Sequence, residues 1–325
     1  MNKTVALYTL GCKLNFSETS TIGNEFLQNG FTKVEFNESA NVYVINTCTV
    51  TENAEKDCRQ IVRRALRQNH DAYIIVTGCY AQLRADDIAK IPGVDAVLGS
   101  SEKFKIFELI KDFEKQELSC IYVNPTEELS DFNSAHSSSA DDRTRAYFKI
   151  QDGCDYKCTF CTIPLARGGS RSLDIDSAVI QFKDLIKNGY KEIIITGVNV
   201  GDYGKNIDVD FYSLLKKLVS VEGDFRIRIS SIEPNLLTDE IIQLAVDNPK
   251  ICNHFHIPLQ SGSDKILRLM QRRYNSSDYK ILIEKVVSKI PNVGIGIDVI
   301  IGFPGETEDD FLDTYNFLKE LPASY

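Results

Sequence analysis

The residues of this sequence best suited to chemistry are its cysteines. Cys154, Cys158 and Cys161 lie in Gly153-Cys-Asp-Tyr-Lys-Cys-Thr-Phe-Cys161, a C-x3-C-x2-C run on one short loop. Three thiolates at that spacing can point at a common centre, and soft thiolates select zinc or iron–sulfur clusters. A closed structural zinc site takes four ligands, usually as two paired elements, and no fourth partner sits nearby in sequence. Three ligands on a loop leave one iron of a cubane cluster open to a small molecule. The spacing therefore favours a [4Fe–4S] cluster over zinc or over three core cysteines.

A second set is dispersed. Cys12 falls in Thr9-Leu-Gly-Cys-Lys-Leu-Asn15, Cys48 in Asn46-Thr-Cys-Thr-Val50 and Cys79 in Thr77-Gly-Cys-Tyr80. Each follows a short apolar run rich in Val and Ile. If those runs are successive parallel strands, one sheet edge gathers all three thiols, and open α/β sheets bind ligands at that edge. The competing reading is three small buried residues, since free cysteine packs well in cores. Cys58, Cys120 and Cys252 carry no such pattern and read as core residues, with Cys58 closest in sequence to a candidate ligand.

The elements that must position these thiols alternate along the chain. In the first half, strands are expected at Val5–Leu10, Val42–Thr47, Tyr73–Gly78, Ala96–Gly99 and Ile121–Val123. Helices are expected at Glu18–Gln28, Glu52–Gln68, Ala85–Lys90 and Lys103–Lys115. In the second half, strands are expected at Tyr147–Asp152, Glu192–Val198, Phe225–Ile232, Phe255–Leu259 and Ile295–Gly302. The helices there are Ile175–Lys187, Phe211–Val219, Asp239–Asp247, Asp264–Met270, Ser277–Val287 and Asp309–Glu320. Such βα alternation predicts an α/β protein: a parallel, Rossmann-like α/β domain over 1–124, then a partial (β/α) barrel over 146–325. The serine- and acid-rich stretch 125–145 reads as a linker between them.

Composition bounds the function. The chain has 325 residues, enough for about two domains, with 43% hydrophobic and 26% charged residues, an ordinary balance for a folded protein. No uncharged apolar stretch of about 18 residues exists, so no membrane span is expected, and the N-terminus is too short and mixed for a secretory signal. A cytoplasmic protein follows, in which nine cysteines serve metal or catalysis rather than disulfides. The net charge of −9 argues against indiscriminate phosphate binding and leaves room for a local basic patch.

Taken with their order, these motifs resemble the radical S-adenosylmethionine superfamily and, within it, the methylthiotransferase family. The resemblance is carried by Gly11-Cys-Lys-Leu-Asn15, Asn46-Thr-Cys-Thr49, Gly78-Cys79, Cys154 to Pro164 with Arg167-Gly-Gly-Ser-Arg171, Thr196-Gly-Val-Asn199, Gly201-Asp-Tyr-Gly204, Ser230-Ser-Ile-Glu-Pro234, His256 to Gly262 and Gly302-Phe-Pro-Gly-Glu306. The branch it is most similar to acts on N6-threonylcarbamoyladenosine at position 37 of tRNA. The resemblance implies two [4Fe–4S] clusters. One, on Cys154, Cys158 and Cys161, would bind and cleave S-adenosylmethionine to produce the radical that takes hydrogen from C2 of the adenine. The other, on Cys12, Cys48 and Cys79, would carry or supply the sulfur. It also implies a tRNA anticodon stem-loop as partner, with an electron donor and a sulfur donor.

The cofactor pocket is expected at the carboxyl ends of the barrel strands, at Thr196, Gly197, Asn199, Ser231, Glu233, Gln260 and Gly302. Gly197-Val-Asn-Val-Gly201 is not G-x-G-x-x-G, which counts against a dinucleotide site. Arg167 and Arg171, just after the cysteine loop, are expected on the cofactor carboxylate or a phosphate. Arg59, Arg63, Arg64 and Arg67, and later Arg268, Arg272 and Arg273, read either as solvated helix faces or as phosphate contacts to RNA. Members of the family usually continue into a sixth barrel strand and a small C-terminal RNA-holding β-barrel called the TRAM domain. The sequence stops before both, so weakened tRNA binding is expected. Two alternatives stay open at this point: methylthiolation of a ribosomal-protein aspartate, and a non-catalytic iron–sulfur or zinc RNA-binding module.

Overall fold

The computed structural model describes residues 3–48, 54–115, 117–137 and 144–325. The chain forms two compact units, one comprising residues up to Arg143 together with Thr162–Gly169, the other Thr144–Cys161 together with Ser170–Tyr325. The short segment Thr162–Gly169, expected in the barrel, thus belongs to the first unit.

The first unit contains β1 (Thr4–Thr9), α1 (Lys13–Gln28), β2 (Thr32–Val34), β3 (Val42–Thr47), α2 (Ala54–Gln68), β4 (Tyr73–Gly78), α3 (Cys79–Leu83), α4 (Ala85–Ala89), β5 (Ala96–Leu98), α5 (Ile106–Leu109), β6 (Cys120–Tyr122), β7 (Ala135–His136) and α6 (Ile163–Arg167). Its sheet runs β2-β1-β3-β4-β5-β6, every pair parallel. The order reverses between β1 and β3, which makes their carboxyl ends a switch point where ligands bind in such sheets.

Both faces of the sheet are covered, which is why β3 and β4 are continuous apolar runs rather than alternating ones. On one face Tyr43, Ile45, Ile74 and Val76 pack with Cys58, Ile61, Val62 and Ala65 of α2. On the other Val42, Val44, Tyr73 and Ile75 pack with Ile22 and Phe26 of α1. Cys58 is fully buried in the first of these layers, as a core residue would be.

Two helix expectations for this unit are corrected. α1 begins at Lys13, not Glu18, with Cys12 at its N-cap. The expected helix Lys103–Lys115 is a 3-10 turn, Glu102–Phe104, and one α-turn, Ile106–Leu109. Beyond it the chain leaves helix so that Phe113 can pack against Phe26 and Phe31, with ring centroids 5.7 and 5.5 Å apart. The expected linker is also structured in part: Thr126 donates to the Leu165 carbonyl at 2.7 Å, and the His136 backbone N–H to Thr21 at 3.1 Å. The expected start of α2 at Glu52 lies outside the described residues.

The second unit contains β8 (Arg145–Lys149), β9 (Gln151–Asp152), β10 (Arg171–Ser172), α7 (Ile175–Lys187), β11 (Glu192–Thr196), α8 (Phe211–Val219), β12 (Arg226–Ile229), α9 (Asp239–Asp247), β13 (His254–His256), α10 (Asp264–Leu269), α11 (Ser276–Lys289), β14 (Gly294–Gly296) and α12 (Glu308–Glu320). The parallel neighbours β8, β11 and β12 form one stretch and β13 with β14 another, joined by the bridge Ser231↔His256. Five parallel strands each followed by helix make the expected partial barrel. Asp174 and Asp210 cap α7 and α8, accepting from Ser177 and Ser213 backbone N–H groups at 2.9 and 2.7 Å. Among the described residues no helix is long and apolar enough to cross a membrane.

Candidate functional site

The dispersed cysteines of the first unit stand where the sheet order predicts. Cys12 follows β1 and Cys48 follows β3, the two strands at the switch point, and Cys79 opens α3 directly after β4. Two glycines make room for them. At Gly11 an added Cβ would come 2.7 Å from the Cys48 Cβ and 3.0 Å from its Sγ, so only glycine lets the two loops close on one another. Gly78, at φ +101°, would put a Cβ 2.2 Å from the Thr47 carbonyl oxygen.

A buried polar network holds the set. Asn15 donates its amide to the Leu10 and Thr47 carbonyls at 2.9 and 3.1 Å, tying the ends of β1 and β3. Its Oδ1 accepts from the Cys12 thiol at 3.7 Å and from Arg167 Nη2 at 2.8 Å. Arg167 Nε donates to Cys79 Sγ at 3.2 Å. The same guanidinium grips Glu18 with both terminal nitrogens, at 2.9 and 3.1 Å, and Lys103 Nζ reaches Glu18 at 2.7 Å. Burial pushes the Cys79 thiol up, opposed by the Arg167 and Lys103 cations.

Arg167 was expected on the cofactor. In the structure it is 1% exposed, in the first unit, and hydrogen-bonded to Glu18, Asn15 and Cys79. Glu18 and Lys103 carry no motif, and their link to Arg167 spans the sequence, so spacing gives no signal for them.

In the second unit, Cys154, Cys158 and Cys161 are partly buried and outside any disulfide. Cys154 is pushed up to about 12 by burial, with Asp202, Cys161 and Cys158 adding to the rise and the Tyr156 N–H opposing it. The three thiols therefore lie within electrostatic reach of one another, and a bound cation centre would relieve the repulsion between their thiolates. Among the described residues no group of three or more His, Cys, Asp or Glu side chains is placed to hold a metal ion. Thiolates of a cubane each bind a different iron, and three cysteines on one loop fit that demand.

Two arms tie this loop to the strand ends. Gln151, fully buried and missed in the sequence, donates to the Gly153 carbonyl at 2.7 Å and to Ser170 Oγ at 3.0 Å, and accepts the Asn199 backbone N–H at 2.9 Å. A Cβ at Gly197 would lie 2.8 Å from Gln151 Oε1, which explains glycine there. On the other arm Arg272 donates to Cys158 Sγ at 3.1 Å and pairs with Glu233. Arg273 lies over the Tyr156 ring, 3.8 Å from its centroid.

The remaining expected residues divide. Thr196 Oγ1 and Asn199 Oδ1 are buried with no hydrogen-bond partner among the described residues. Asn199 Nδ2 donates to Asp202 at 3.1 Å, which fixes its orientation. Ser231 sits in the bridge to His256. Gln260, at φ +71°, bonds Asp298 through its backbone, and Gly302, at φ +79°, donates to Glu306. Arg171 is on β10, its Nη2 3.8 Å from Asp152. Of the basic runs, Arg64 is taken up by its own unit, 5.4 Å from the Phe36 centroid and donating to Asn37, while Arg63 and Arg67 are exposed.

Comparison with known proteins follows the same division. The Radical SAM superfamily profile matches residues 148–318, and that of Uncharacterized protein family UPF0004 matches residues 4–99. A threonylcarbamoyladenosine tRNA methylthiotransferase (MtaB) of Bacillus subtilis is 45% identical over 98% of this chain and 71% of its own length. Its namesake in Aquifex aeolicus is 39% identical over 99% and 78%. A tRNA-2-methylthio-N(6)-dimethylallyladenosine synthase of Fusobacterium nucleatum is 36% identical over 98% and 74%. The fold is shared with the radical S-adenosylmethionine methyltransferase TsrM of Kitasatospora setae, solved with tryptophan and a cofactor analogue, at TM-score 0.71, 14% identity, 99% of this chain and 72% of that one. Similarity at this level over nearly the whole length establishes that the chain belongs to the radical S-adenosylmethionine methylthiotransferase family, in the threonylcarbamoyladenosine tRNA branch.

Proposed function

We propose that this chain adds a methylthio group to C2 of N6-threonylcarbamoyladenosine at position 37 of tRNA. The observation that carries this is the 45% identity to a relative named for that modification, spread over 98% of the chain. The relatives compared above are named for tRNA, so a ribosomal-protein aspartate is not favoured as acceptor.

Cys154, Cys158 and Cys161 would hold one [4Fe–4S] cluster and Cys12, Cys48 and Cys79 the other. Bound there, the first cluster supplies one-electron cleavage of S-adenosylmethionine and the second supplies the sulfur site. The protein's own part is placement and shielding. Gln151 fixes the backbone of Asn199, whose Oδ1 and the nearby Thr196 hydroxyl are the buried groups suited to the cofactor's ammonium. Arg272 covers Cys158, and its pairing with Glu233 sets where that carboxylate stands. Gln260, Gly302, Ser231 and Arg171 complete the expected lining at the strand ends. Exposed Arg63 and Arg67 on α2 are suited to backbone phosphates of an anticodon stem-loop. Such an enzyme works where tRNA is modified, in the cytoplasm, supplied by an electron donor and a sulfur donor.

The test is mass spectrometry of tRNA nucleosides from a strain lacking its own enzyme of this type. Expression of the chain should convert N6-threonylcarbamoyladenosine to its 2-methylthio derivative, and Cys158→Ala should not. Conversion of the dimethylallyl nucleoside instead, or of neither, would refute the assignment.

A further inference from the structure

Both cysteine trios share an arrangement that their spacing does not announce. In each, one arginine donates to the sulfur of one cysteine and is anchored by a carboxylate, buried in the first and partly exposed in the second: Arg167 on Cys79 with Glu18, and Arg272 on Cys158 with Glu233. The first is the more enclosed. Arg167, Glu18 and Lys103 are each nearly or wholly inaccessible to solvent, with both cations on the one carboxylate.

Burying three charged side chains is costly unless each is paired and hydrogen-bonded, and hydrophobic replacements of like volume often do as well for stability. A purely structural account leaves the aim of Nε unexplained. The guanidinium is planar, so fixing two nitrogens on Glu18 and Asn15 also fixes the direction of the third N–H, which then meets Cys79 Sγ. Hydrogen bonds to sulfur and net local charge are two of the main determinants of an iron–sulfur cluster's reduction potential.

We propose that Arg167 is a positioning residue for the cluster on Cys12, Cys48 and Cys79: clamped by Glu18 and Asn15, it holds the Cys79 sulfur in place and raises that cluster's midpoint potential. This rests on the assignment of a cluster to those cysteines. Adding an electron makes the cluster more negative, and a fixed guanidinium N–H on one of its sulfurs favours the more negative state. Arg167 is thereby the group that keeps this centre reducible at a higher potential than its thiolates alone would set.

The experiment uses the full chain with Cys154, Cys158 and Cys161 all replaced by alanine, so that only the first-unit cluster forms. Iron and sulfide content, and the midpoint potential followed by electron paramagnetic resonance, are measured in this parent and with Arg167→Lys, Arg167→Gln or Glu18→Gln added. Circular dichroism checks folding, and the charge-conserving lysine variant stands in should the glutamine variant unfold. A parent that assembles no cluster overturns the cysteine assignment itself. A parent with a cluster, whose potential falls in Arg167→Lys and falls further in Arg167→Gln, or whose cluster is lost from folded variants, supports the proposal. Potentials and iron content equal to the parent's in both Arg167 variants overturn it while leaving the cluster assignment intact.

Discussion

Gln151 Oε1 accepts the backbone N–H of Asn199 at 2.9 Å, joining the strand before the C-x3-C-x2-C loop to the turn after β11. The same side chain donates to the Gly153 carbonyl, immediately before Cys154. One amide thus sets the distance between the cluster loop and the strand end expected to bind the cofactor.

Replacing Gln151 by alanine leaves those buried groups unpaired, at a cost of about 1–3 kcal/mol. The variant should melt several degrees lower and bind S-adenosylmethionine more weakly by calorimetry, with iron content nearly unchanged. Wild-type cofactor affinity in Gln151→Ala would contradict the positioning role.

The tight approach at Gly78 predicts a sharp contrast between two glycines of similar φ. Gly30, at φ +82°, has nothing within 4 Å of an added Cβ, whereas Gly78, at φ +101°, would meet the Thr47 carbonyl oxygen at 2.2 Å. Gly30→Ala should cost only the conformational penalty of about 1–2 kcal/mol. Gly78→Ala should cost clearly more and lower iron retention, because Cys79 is the next residue. Equal melting temperatures for the two variants would show that the close packing of β3 on β4 does not matter.

A pH dependence follows from Asp310. It accepts from Ser263 at 2.9 Å, Lys265 at 2.6 Å and the Thr307 hydroxyl at 2.7 Å, and closes the capping box of α12. The Lys265 hydrogen bond foremost, with Thr307, holds its carboxyl well below the usual range. A depressed folded-state value means stability present above the unfolded value near 3.9 and lost as pH falls toward the folded one. Urea unfolding should therefore show Asp310→Asn less stable than the parent at neutral pH. The gap should narrow progressively below about pH 4. A gap independent of pH would mean the carboxylate is not carrying the effect.

Much of this was legible in the sequence, and for physical reasons. β3 and β4 were found to the residue because strands buried on both faces must be unbroken apolar runs. The positions of Cys48 and Cys79 followed, since each thiol comes directly after such a run, whereas Cys12 is separated from β1 by Leu10 and Gly11. β2 was missed because Thr-Lys-Val, a three-residue edge strand, has no such signature. The helix expected through Lys115 ends early because Phe113 serves an aromatic cluster with Phe26, Phe31 and Phe107, a tertiary demand that local pattern does not carry. Arg167 was read as an anion ligand from its place beside the cysteine loop. Its real partners, Glu18 and Cys79, are distant in sequence, and only folding of Thr162–Gly169 into the first unit brings them together.

The most direct test of the account is iron and acid-labile sulfide per chain after anaerobic reconstitution, in the parent and in Cys12→Ala, Cys79→Ala and Cys58→Ala. Two cubanes give about eight of each in the parent, and loss of one cluster should leave about four in the first two variants. Cys58→Ala, on the core face of α2, should keep the full content. About four in the parent and in every variant, or zinc without sulfide, would contradict it.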